Sequence, residues 1–172
     1  MRIPNSAAVA VVLLGAACSA EALGIQSPAF QANGQIPSKY TCDGVGVNPA
    51  LTFTGVPAKA QTLVLIMDDP DVPKNLMPSG VFDHWLIWNL PATSKGFAEA
   101  AAEAKTGLNG MGQQGYMGPC PPDREHRYFF KLYALDTNLT AKITNKAELE
   151  AAMKGHILEQ AELVGRYART GK

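Results

Sequence analysis

Five apolar residues, Leu63-Val64-Leu65-Ile66-Met67, run directly into Asp68-Asp69-Pro70-Asp71-Val72-Pro73. An unbroken apolar run bounded by turn residues is the pattern of a strand buried on both faces. The prolines fix the backbone and the carboxylates demand solvent or partners, so this strand delivers a rigid acidic turn to the rim of a core. Trp85-Leu86-Ile87-Trp88 reads as a second strand, with Asp83 and His84 at its mouth and Pro91 closing it. Two strand ends thus bring carboxylates and an imidazole to one place, which reads as the functional site.

The chain of 172 residues is nearly half apolar, enough for one sizeable core. Fifteen basic and fifteen acidic side chains cancel without any run of like charge, which gives no footprint for nucleic acid and no polybasic membrane patch. Residues 1–22 read as a signal peptide: Arg2 precedes the apolar stretch Ala7 to Ala17, and Ala20-Glu21-Ala22 fits a small-residue cleavage site. The stretch is shorter than the roughly 20 residues a spanning helix requires. Cleavage removes one Arg and one Glu, so the mature domain, 23–172, carries 14 minus 14 charges and stays neutral. The expected location is periplasmic or secreted. Leu14 to Cys18 resembles a lipoprotein box with its Leu one position too far from the Cys, so lipid anchoring through Cys18 is the lesser alternative. Cys42 and Cys120 then remain as an even pair in an oxidising compartment, and a disulfide is expected between them, two separate buried thiols being the alternative.

Along the mature chain, Gly24 to Pro37 suits an opening edge strand with a hairpin-type turn at Asn33-Gly34, and Ala50 to Phe53 a short strand. Ala98 to Ala104 has helix-forming composition but only two turns of length, which favours a surface turn or loop. Gly107 to Pro122 holds five glycines and three prolines in sixteen residues, a long irregular loop. Arg127 to Leu135 reads as a core strand rich in aromatics. Asn145 and Glu148 form a capping box, and Leu149, Met153 and Ile157 give the following helix an apolar face, ended by Gly155. Residues from His156 to Arg169 fit neither helical nor strand period cleanly.

Most short motifs fall away. Gly110 to Gly115 matches a dinucleotide-binding fingerprint in letters, yet no strand precedes it and Pro119 stands where its helix would run. There is no phosphate loop, no zinc-protease motif and no nucleophile elbow. Asp69, Asp71, His84 and His126 could each be a bland capping or core residue; together they form an acid–imidazole set able to present N–H groups to an anion. No ligand spacing supports a metal, and no cofactor is expected. Glycines and prolines from Gly115 to Pro122, arriving just before His126 and Tyr128, suit the wall of a small preorganised pocket.

With DDPDVP (68–73), DHWLIWNLPA (83–92), GYMGPCPP (115–122), HRYFFKLYALD (126–136) and KAELEAAMKGHILEQAELVGRY (146–167) in view, the chain resembles the phosphatidylethanolamine-binding protein family, in its bacterial Raf-kinase-inhibitor-like branch. The resemblance implies a mainly β domain: a large central antiparallel sheet packed with a smaller sheet and few peripheral helices. It implies an anion pocket at strand ends, carried here by Asp69, Asp71, Pro73, His84, Cys120, Pro121, Pro122, His126 and Tyr128. It also implies the Cys42–Cys120 bridge and a strand over 157–167. Asp83, directly before His84, departs from the family pattern, and the expectation is weaker anion affinity or a more charged His84. The function so implied is an exported, non-catalytic module for a small phosphorylated ligand. A protein-interaction module inhibiting a kinase or protease through the pocket rim is the alternative, and a hydrolase with His84 as base a third.

Overall fold

The structure is a computed structural model that describes residues 21–101 and 107–169. Two antiparallel sheets form the molecule. The smaller is built from β1 (Gly24–Gln26), β2 (Leu51–Thr54) and β5 (Gly96–Phe97), in the order β1-β2-β5. The larger is built from β3 (Thr62–Asp69), β4 (Phe82–Pro91), β6 (His126–Leu135) and β7 (Ile157–Tyr167), in the order β4-β3-β6-β7. One helix, α1 (Lys146–Met153), and one 3-10 turn (Ser38–Tyr40) complete the described elements.

Every residue of β3 is buried. Side chains alternate across a strand, so Leu63, Leu65 and Met67 pack with Trp85, Ile87 and the small sheet's Leu51 and Phe53, while Val64 and Ile66 pack with Leu86 and with Leu149 and Met153 of α1. The apolar run therefore fills two cores at once. Burial of such side chains contributes on the order of 2 kcal/mol each.

Asn145 caps α1 by accepting from the Glu148 N–H at 3.0 Å. Glu148 reaches back to the Thr144 N–H, at 2.7 Å, instead of to the cap residue itself. The helix stops at Met153, and Gly155 takes a φ of 85°. Ile157 does not extend the helix face as its spacing implied. It opens β7 and is exposed, because the chain has already turned into a strand. Residues 157–167 form the strand that the family resemblance implied.

Asn33-Gly34 makes a turn but no hairpin: the segment lies along the β7 edge, with Asn33 N–H donating to Val164 O and Ile36 N–H to Arg166 O. Turn-forming residues fix a local bend without choosing the strand that receives it. Residues 98–101 form an irregular turn, and the rest of the helix-prone stretch lies outside the described residues, as do Cys18 and nearly all of the leader. Among the described residues no helix is long and apolar enough to cross a membrane.

Candidate functional site

At the acidic end of β3, register decides which carboxylate goes where. Pairing with β4 steps from Met67–Trp85 to Asp68–Asp83, leaving His84 as an extra residue on β4. Such a bulge re-aims a side chain. Asp68 and Asp83 turn to α1, where Lys146 meets both, at 3.5 Å from Asp83, and Lys131 lies 2.9 Å from Asp68. Asp69 and the bulged His84 face a pocket of about 390 Å³ instead. Asp83 thus belongs to the lysine-bridged group and places no charge on His84.

The pocket is walled by Val72, Leu76, Met77, Phe82, Met111 and Met117, with Gly118, Cys120 and Pro122 on one side. His84 and Asp69 are its titratable lining groups, and no Lys or Arg lines it among the described residues. The loop from Gly107 covers the free edge of β4: Gly107, Gly110 and Met117 N–H groups donate to the carbonyls of Leu86, Asp83 and His84. Met117 and His84 are clamped twice, because His84 Nδ1 also donates to Met117 O at 2.7 Å. That bond assigns the proton to Nδ1 and leaves the Nε2 lone pair free. Burial pushes the His84 pKa down to about 4, so the ring is neutral at pH 7.

The second imidazole is committed elsewhere. His126 is fully buried, and its Nδ1 and Nε2 lie 2.7 Å from Asp69 and 2.8 Å from Asp123. Asp69 also accepts the Asp71 N–H at 2.8 Å; burial outweighs these partners and raises its pKa. Asp71 forks with Arg127, with Oδ1 and Oδ2 each 2.8 Å from a guanidinium nitrogen, and that partner lowers its pKa to about 2. Tyr128 is buried with its ring 5.2 Å edge-on from His84, and its hydroxyl has no partner among the described residues. Burial, then the Asp69 carboxylate, keeps that hydroxyl protonated.

Pro73 starts the turn that carries Leu76 and Met77 to the pocket, its carbonyl accepting both of their N–H groups. Cys42 and Cys120 are disulfide-bonded, with Cα atoms 5.4 Å apart across 78 positions. The bridge and the Cys42 N–H to Pro119 O bond pin the wall that holds Cys120 and Pro122. Gly118 permits this approach, since a Cβ there would stand 2.7 Å from Tyr40 O. Pro121 is buried away from the pocket.

The structure therefore brings Asp69, His84, Cys120 and Pro122 to one cavity, with His126 bonded to Asp69 and the Tyr128 ring against His84 behind that lining, and with Asp71 and Pro73 shaping its turn. Sequence reasoning missed Asp123, Arg127 and the methionines. Asp123, three residues before His126, was the one with a spacing signal. The methionines sit in loops that carry no periodicity, and apolar residues in a glycine-rich loop were the only trace of Met111 and Met117.

The sequence matches the family model for phosphatidylethanolamine-binding protein over residues 26–168. A UPF0098 protein of Chlamydia pneumoniae is 49% identical, covering 84% of this chain and 97% of its own length. Another, from Methanothermobacter thermautotrophicus, is 44% identical over 86% and 99%. The crystal structure of a phosphatidylethanolamine-binding protein homologue of Chlamydia trachomatis superposes with a TM-score of 0.84 at 45% identity, covering 87% and 99% of the two chains. YbcL of E. coli, described as a member of the mammalian family, gives a TM-score of 0.77 at 26% identity, covering 87% and 100%.

Proposed function

The chain belongs to the phosphatidylethanolamine-binding protein family, and we propose that it is an exported, non-catalytic binding protein that holds a small phosphorylated ligand in the pocket of Asp69 and His84. The observation that carries this reading is the convergence of His84 and Asp69 on an otherwise apolar cavity.

The protonation state of the site selects among phosphates. His84 Nε2 accepts at neutral pH, Asp69 repels a dianion, and no lining cation offsets either. A singly ionised phosphate monoester brings its own proton, and its P–OH donates to Nε2. Monoesters lose that proton at a pKa of about 6. Affinity for phosphoethanolamine therefore falls about tenfold per pH unit above that value, and a phosphodiester with the same amine binds more weakly at pH 7. Calorimetric titration at pH 5.5 and pH 8 checks this. Affinity that rises with pH contradicts it.

Export has its own support. Leu23 N donates to a Glu159 carboxylate oxygen at 3.0 Å. Cleavage after Ala22 turns that hydrogen bond into an ion pair with the new terminal ammonium. Intact-mass measurement of the secreted protein should find Leu23 first. The second reading, a protein-interaction module, draws on Leu76 and Met111, which stand exposed at the pocket mouth at 60% and 63%.

A further inference from the structure

Met67 and Met153 are core residues, buried on the two faces of the large sheet. The other described methionines, Met77, Met111 and Met117, all line the pocket that His84 enters. They come from three different turns: Met77 from the turn begun by Pro73, Met111 from the turn capped by the Asn109 carboxamide, which accepts its N–H at 3.0 Å, and Met117 from the segment clamped to His84. General packing does not account for Met111, which is exposed.

We propose that this pocket is a soft-metal site that takes a cuprous ion through His84 Nε2 and the thioether sulfurs of Met77, Met111 and Met117. Thioether and imidazole ligands select monovalent copper over harder ions. The imidazole is already oriented to ligate, because its Nδ1–H is spent on a backbone carbonyl, the usual second contact of a metal-ligating histidine, and its Nε2 has no partner among the described residues. No Lys or Arg lines the cavity among the described residues to repel a cation, and the Asp69 carboxylate complements one. Zinc fits poorly, because among the described residues no three His, Cys, Asp or Glu side chains gather in metal-binding fashion. The apolar walls further favour a singly charged ion over a divalent one.

This site shares His84 with the phosphate reading but does not rest on it. The test uses the purified protein carrying Cys18→Ser, so that the cysteine outside the disulfide cannot bind metal. Silver(I), a redox-inert stand-in, is titrated in nitrate buffer while methionine methyl and histidine ring signals are followed by NMR. Copper(I) affinity is then measured anaerobically against a competing chelator. One equivalent should saturate, moving the methyl signals of Met77, Met111 and Met117 and the His84 ring, with those of Met67 and Met153 unmoved. Replacing the three pocket methionines by Leu should weaken copper(I) about a hundredfold or more. Should the triple variant unfold, Met111→Leu alone should cost about tenfold. Silver shifts spread over all methionines, or affinity indifferent to these substitutions, would overturn the proposal. Loss of phosphate binding with copper binding intact counts against the phosphate reading and leaves this one standing.

Discussion

Burial of the His84 ring, which outweighs the nearby Asp68 carboxylate, gives folding stability a pH dependence of definite sign. Its folded pKa of about 4 lies below the ordinary 6.5, so the neutral ring's contribution is complete above pH 6.5 and is lost as pH falls through 4. The shift corresponds to about 3 kcal/mol as an upper figure. His84→Gln should flatten the decline in urea-unfolding stability between pH 6.5 and 4. A decline of equal size in the variant would contradict the assignment. Asp71 works in a lower window: its contribution is complete above pH 3.8 and is lost as pH falls through about 2. Arg127 is half exposed, so screening reduces the effect to about 1 kcal/mol. Asp71→Asn should cost that much at pH 7 and almost nothing at pH 2. The acidic turn and both histidines were legible in the sequence as a candidate site. Which imidazole lines the pocket was not, because that depends on the bulge at His84 and on Asp123 reaching His126.

Among the elements, β3 declared itself most clearly, since a run buried on both faces has no polar residue to spare. Its partner β4 was legible as a strand, yet its bulge was not. A single skipped pairing leaves no mark in hydrophobic pattern, while it decides that Asp83 joins Asp68 and Lys146 and that His84 joins Asp69. Helix α1 was legible from its cap, and its role in holding Lys146 over Asp68 came only with packing. Asn145→Ala should cost about 1 kcal/mol, read as a shift in the urea midpoint with an unchanged slope. Asp68→Ala should cost more, about 3 kcal/mol, because Lys131 and the partly buried Lys146 both lose the carboxylate they share. Equal costs for the two would mean that the charge group adds nothing beyond the cap.

For the whole molecule, the two-sheet architecture followed from the resemblance, not from periodicity, which left 156–169 undecided. The contacts that close the structure are long-range: the β7 edge receiving Asn33 and Ile36, and the wall pinned by Cys42–Cys120. Neither register nor docking is written in local sequence. Replacing both cysteines by Ser should cost about 2–4 kcal/mol, seen as a melting temperature lower by about 5–15 °C. Because the bridge also anchors one pocket wall, ligand affinity should fall with it. A variant that loses stability but keeps full affinity would show that the wall stands without the bridge.

All of this turns on whether His84 receives the ligand through a neutral, accepting Nε2. Nitrogen-15 NMR of the histidine rings, followed as phosphoethanolamine is titrated at pH 7, reads that out without an intermediary. The expected result is saturable movement at His84 Nε2 with Nδ1 still protonated, little change at His126, and none at His156. A ligand-induced response at His126 with His84 unmoved would contradict it.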